Sequence, residues 1–146
     1  MDILNASLQE PIQLILGFVV GAIIGLERQF YEVVEKESET SGEAKPGVRS
    51  FGLLSILGTI SIIEGKRFGL EFLFYLTFVA VIIIIGIYTF ARQRKGDIGI
   101  TTSISMVLSF FSGALVGLGE ITIAIALSVF TTSILASKGF VLEILK

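Results

Sequence analysis

Five long apolar segments, at residues 12–26, 51–63, 68–91, 98–118 and 121–137, constrain this chain more than anything else in it. A helix that crosses a bilayer needs roughly 20 apolar residues, with a range of about 17–25. The third and fourth segments meet that length alone, and the first and fifth meet it with their flanks. The second has only 13 residues, a helical rise of about 20 Å. It reads as a tilted short span, a re-entrant hairpin or a buried half-helix. In hydrocarbon every backbone polar group must be paired within the protein, so helices are expected and isolated strands are not. Composition agrees: of 146 residues 53% are apolar and 16% charged, and mean hydropathy is +0.88. A water-soluble domain of this size has too little interior for that much apolar surface. The expected fold is all-α, one polytopic transmembrane helix bundle over residues 1–146. Its spans are expected at about 11–28, 48–64, 68–91, 98–118 and 120–137, with one long loop at 29–49.

Charge orients the bundle, because Lys and Arg in short loops favour the cytoplasmic side. With five crossings and the N-terminus outside, the inner side holds Arg28, Lys36, Lys45, Arg49, Arg92, Arg94, Lys95, Lys138 and Lys146. The outer side then holds only Lys66 and Arg67. If the second segment did not cross, the split would be six to five and the bias would vanish. The expectation is therefore five spans, N-terminus out and C-terminus in, and the bias argues against dual topology. Ahead of the first segment stand Asp2 and Glu10 and no Lys or Arg. A cleavable signal peptide needs a positive stretch there, so the first segment is expected to remain as a span.

The inventory excludes much chemistry. The chain has no His, Cys or Trp, which removes zinc sites built on Cys or His, thiol nucleophiles and Ser-His-Asp triads. P-loop, Rossmann and zinc-protease motifs are absent too. No ionisable residue lies mid-span, so an enzyme is not expected. The net charge of −2, from 11 basic and 13 acidic residues, does not suit a nucleic-acid binder. The partner implied is the lipid bilayer.

Helices in lipid associate through small residues and hydrogen bonds. Gly17, Gly21 and Gly25 recur every four residues on the first span, a face suited to packing on another helix. On the fourth span Gly113 and Gly117 stand beside Ser105, Ser109 and Ser112; the second has Gly52, Ser55 and Thr59, the fifth Ser128, Thr131 and Thr132. These hydroxyls either line a polar path or make helix–helix and i−4 backbone hydrogen bonds. The third span is apolar nearly all round and is expected at the periphery.

Ionisable residues near membrane depth are candidates for function. On the inner side the threading gathers Glu27 and Arg28, Arg49, the Arg92–Arg94–Lys95 group, and Asp97 with Thr101 and Thr102. Glu27 and Arg49 stand at neighbouring helix ends and are expected to pair. Thr101 or Thr102 is expected to cap the fourth helix, with Asp97 just ahead of it. An ion-binding or gating cluster and a plain belt of caps and snorkelling cations both fit these residues. On the outer side Glu64, Glu71 and Glu120 are oxygen ligands of the kind that suit Mg²⁺. The Glu-rich stretch 32–45 reads as a solvated segment or as a sensor or docking loop.

Two stretches carry a resemblance. Gly21-Ala22-Ile23-Ile24-Gly25-Leu26-Glu27-Arg28-Gln29 looks like the first-span signature of the MgtC/SapB family of prokaryotic membrane proteins. Pro46-Gly47-Val48-Arg49-Ser50 is similar to its second signature, usually Ala-Gly-Leu-Arg-Thr, with Val48 and Ser50 as departures. The stretch from Gly96-Asp97 through the Gly113/Gly117 helix resembles later spans of the superfamily. The resemblance implies a multi-pass protein of the prokaryotic cell membrane with a role in ion homeostasis. Mg²⁺ would be cargo or ligand, and no resident cofactor is implied. The activity implied is an ion transporter or channel-like module; a non-transporting regulator or assembly partner is the alternative. Only the membrane module is resembled, without the soluble C-terminal domain of the full-length type. A homo-oligomer, such as a dimer, or a paired membrane subunit is therefore the expected assembly.

Overall fold

A computed structural model describes residues 2–36, 46–94 and 99–144, with side chains described over 8–30, 46–94, 99–137 and at 144. Five helices follow in order: α1 (Asp2–Lys36), α2 (Val48–Phe68), α3 (Phe72–Gln93), α4 (Ile100–Leu118) and α5 (Ile121–Ile144). No strand occurs among the described residues. Four stretches are long and apolar enough to cross a membrane: Leu8–Phe30, Val48–Phe68, Phe72–Gln93 and Ile100–Leu118. The apolar stretch of α5, Ile121–Ser137, is shorter and sits at the low end of the range of about 17–25.

The 13-residue apolar segment is no hairpin or half-helix. It is the middle of α2, a continuous helix of 21 residues whose polar flanks complete the length. Two glycine turns make the tight connections. Gly69 ends α2 at φ 65° and Gly119 ends α4 at φ 88°, a left-handed conformation that costs glycine little. Around them the Leu70 amide donates to the Gly65 carbonyl at 2.8 Å and the Glu120 amide to the Leu115 carbonyl at 2.9 Å. These bonds satisfy carbonyls that a helix end would otherwise leave open.

Glycine decides which helices approach closely. A Cβ placed at Gly21 would stand 2.5 Å from the Phe51 carbonyl oxygen, and one at Gly25 would stand 2.7 Å from the Val48 Cα. At Gly17 it would strike the Thr59 hydroxyl. Thus α1 and α2 run antiparallel with their backbones nearly touching. A second seam joins α2 to α4, this time in parallel. A Cβ at Gly113 would collide with the Ser55 carbonyl, one at Gly58 with the Phe110 carbonyl, and one at Gly117 would lie 2.8 Å from the Thr59 carbonyl. Hydroxyls cross the same seam: Thr59 Oγ1 donates to the Gly113 carbonyl and Ser109 Oγ to the Phe51 carbonyl, each at 2.8 Å. On the far side of α4, α5 returns antiparallel, with Ser128 Oγ donating to Ser112 Oγ at 3.3 Å.

Apolar side chains fill what remains. Ile24, Phe51, Val81, Ile85, Met106, Phe110 and Leu135 form one buried cluster, and Val20, Val116 and Ala124 a second. Helix α3 is peripheral: Val81 and Ile85 are its buried residues, while Leu76, Val79, Ile83, Ile87 and Phe90 lie exposed. It is held by ring packing of Phe78 on Phe110 and Phe111, at centroid distances of 5.9 and 5.2 Å. Thr89 Oγ1 also shares a 2.6 Å hydrogen bond with Ser103 Oγ on α4.

Candidate functional site

The antiparallel α1–α2 pair and the parallel α2–α4 pair bring the end of α1 and the starts of α2 and α4 to one end of the bundle. The C-terminal end of α3 joins them there. Glu27, Arg28, Arg49, Thr101 and Thr102 all lie at that end; Asp97 and Lys95 lie outside the described residues, as does the stretch 37–45. The end is built by glycine. Gly25 rests against Val48, and a Cβ at Gly47 would stand 3.2 Å from the Gln29 side-chain oxygen. The segments 21–29 and 46–50 therefore pack directly on each other.

The expected Glu27–Arg49 pair is not made. Arg49 is exposed, and no ion pair joins it to Glu27 among the described residues. The reason is helical phase. Glu27 follows Val20 and Ile24 at i+7 and i+3, so it continues their buried stripe. That stripe lies well round the helix from the glycine face that meets α2. Glu27 is half-buried, and its Oε2 is enclosed without a hydrogen-bond partner among the described residues. Buried carboxylate oxygens are normally satisfied; Nε and Nη2 of the neighbouring half-buried Arg28 are enclosed at the same end.

The expected cap on α4 is also not made by a threonine. The N-cap is Gly99, with no side-chain cap bond, and its carbonyl accepts from the Thr102 and Ser103 amides at 3.1 and 3.2 Å. The helix begins before Thr101, so both threonines fall inside the first turn. Thr102 points into the bundle at 7% exposure, while Thr101 faces out. The Arg92 guanidinium lies against this turn, near Gly99, and donates to the Tyr88 hydroxyl at 2.6 Å.

The hydroxyl stripes are absorbed into packing. Besides the bonds across α2–α4, Ser105, Thr131 and Thr132 each donate to the carbonyl four residues back, at 2.6, 2.7 and 2.7 Å. The Ser55 hydroxyl is buried without a partner among the described residues.

At the opposite end, one feature escaped the sequence reading. Arg67 bridges Glu10 of α1 and Glu64 of α2. The signal was present: Glu10 stands seven residues before Gly17, and Arg67 eight after Thr59, so an antiparallel register through Gly17 and Thr59 brings them together. Glu64 is thereby engaged by a cation, Glu71 and Glu120 are exposed, and no group of three acidic side chains among the described residues could hold a metal ion. The expectation of an Mg²⁺ site on this face gains nothing from the geometry.

Long apolar helices, glycine-mediated seams and apolar side chains turned outward define a polytopic α-helical membrane protein. The chain belongs to the MgtC family, whose model matches residues 14–143. A search of curated proteins and one of solved structures each found no match.

Proposed function

We propose that this MgtC-family chain serves ion homeostasis by binding and moving a small cation, with Mg²⁺ the first candidate and Glu27 the side chain that meets it. One observation carries this reading: Glu27 places a half-buried carboxylate among packed helices, with one oxygen enclosed and without a hydrogen-bond partner among the described residues. Ionisable groups withdrawn from water among membrane helices are costly, and they mark ion paths and proton relays. Mg²⁺ holds most of its water and needs only one or two carboxylates, so a single glutamate can serve it, with Arg28 beside it as the competing cation. The asymmetry of basic residues argues for the Arg49 end facing the cytoplasm of a prokaryotic cell, with the chain in its plasma membrane. Since most of the buried hydroxyls of α2, α4 and α5 are engaged in hydrogen bonds, a polar path would run past Glu27 or between two copies, which favours a homo-oligomer.

Reconstitution into liposomes holding an Mg²⁺-sensitive dye tests this. The unsubstituted protein is expected to admit Mg²⁺, and Glu27→Gln to slow the flux about tenfold or more. No flux for the unsubstituted protein, or equal flux for the variant, removes the reading.

A second reading, a regulator or assembly partner that passes no ion, is favoured by the engagement of the Ser and Thr hydroxyls in helix contacts. It expects silent liposomes and crosslinks from the segment 29–49, which includes the last turns of α1 and the start of α2, to another membrane complex.

A further inference from the structure

A proline interrupts α1 well inside its length. Pro11 follows the helical residues Asp2–Glu10, so it is not the first-turn proline that a helix accommodates. Its ring nitrogen carries no hydrogen, so the bond that would run to the Ser7 carbonyl is missing, and the ring crowds that carbonyl. The turn 7–11 is therefore the soft point of α1, since prolines in a helix interior are where helices bend. Packing does not stiffen it. Every residue from Leu8 to Leu16 is exposed or half-buried, and burial begins at Gly17, where the helix meets Thr59 of α2. Segments with so few buried contacts are the ones that open locally.

A tie reaches this soft turn from the body of the bundle. Glu10 lies in the turn, and its Oε2 accepts from Nη2 of Arg67. Arg67 is itself steadied by Glu64, one turn back on α2, whose Oε1 accepts from Nη1 at 3.0 Å. One guanidinium thus joins the loosened turn of α1 to α2, which the glycine seam fixes to α4. All three side chains are partly open to solvent, Arg67 at 46%, so water and salt reach them. An ion pair this exposed is worth about as much as thermal energy, and salt screens it. Such a bond sets which of two positions dominates without fixing either.

We propose that the turn 7–11 is a hinge and that Arg67 is its ionic catch. Paired with Glu10, the guanidinium holds the first turns of α1 against the end of the bundle beside Gly69; rising ionic strength frees Glu10, and the segment ahead of Pro11 swings away. The device is independent of any ion that Glu27 handles, because Glu27 lies toward the other end of α1.

The chain contains no Cys, so spin labels go only where cysteines are introduced. Asn5→Cys labels the segment ahead of the hinge. Ile15→Cys labels the helix beyond it and Leu118→Cys the end of α4, both at exposed residues. Pulsed electron–electron resonance on the full chain in phosphatidylcholine nanodiscs reads the distance from each α1 label to the α4 label. At low salt, with no further substitution, the Asn5 label is expected to show one dominant distance. Arg67→Gln and Glu10→Gln are each expected to raise the share of a second distance about fivefold, the upper worth of an exposed ion pair. Salt at about 1 M, where the screening length falls to about 3 Å, is expected to do the same without either substitution. Adding Pro11→Ala to Arg67→Gln is expected to restore the single distance, because the missing backbone bond is then made. The Ile15 label is expected to keep one distance throughout. An Asn5 distribution that ignores Arg67→Gln and Glu10→Gln, a broadening that Pro11→Ala leaves in place, or an equal broadening at Ile15 overturns the hinge.

Discussion

Helix α3 and the α2–α4 seam differ in almost every respect. The third helix has the highest mean hydropathy of the four candidate spans, 2.5 against 1.3 for α2, yet only 11% of its apolar stretch is buried, against 44% for α2 and 56% for α4. In water the order would be reversed, since apolar area removed from solvent drives association. Here lipid tails satisfy α3 as well as protein does. What joins helices is close backbone approach and hydrogen bonding, and the glycines, serines and threonines of α2 and α4 supply both. Apolarity in this protein marks what stays outside, and small polar residues mark the centre.

Substitutions that invert the contrast test it. Gly113→Val should have the largest effect, because its first added carbon meets the Ser55 carbonyl, a backbone atom that cannot swing aside. The loss should be about 3 kcal/mol, the upper part of the range for overpacking, read by steric trapping or denaturant unfolding in micelles. Thr59→Val keeps the shape and deletes the hydrogen bond to the Gly113 carbonyl. It should cost about 1 kcal/mol, as interhelical hydrogen bonds in membranes do, by the same assay. Arg67→Gln breaks the bridge between Glu10 and Glu64, which is exposed to solvent. It should lower the midpoint less than Thr59→Val, and the difference should shrink as salt is raised. Ile83→Ala, on the outward face of α3, should change stability by no more than about 0.5 kcal/mol. A large effect there would mean that the face is covered by another protein surface rather than by lipid.

The reach of the sequence follows from the same physics. Segment positions were legible because hydropathy is summed over many residues. The glycine spacing of α1 marked a packing face because i+4 periodicity is a local property of the helix. Pairings between helices were harder. The Glu27–Arg49 pair looked natural from loop connectivity, but rotation about the helix axis decides it, and Glu27 shares its stripe with Val20 and Ile24. The α4 cap lies two residues ahead of Thr101 and three ahead of Thr102, because Gly99, with no capping side chain, starts the helix before both threonines. The Arg67 bridge became visible only through the register that Gly17 and Thr59 define. The short apolar core of α2 was ambiguous because polar residues at both ends continue the helix without registering as hydrophobic.

The parallel seam also limits how this molecule can change shape. Phe51 with Ser109, Ser55 with Gly113 and Thr59 with Gly117 are all spaced 58 residues apart, so three successive helical turns mesh in one phase. Rotating one helix drives a side chain into a carbonyl, and sliding it requires a jump of a whole turn, roughly 5.4 Å. Helices α2 and α4 must therefore travel as a single body, and any working stroke falls to the elements hung around them.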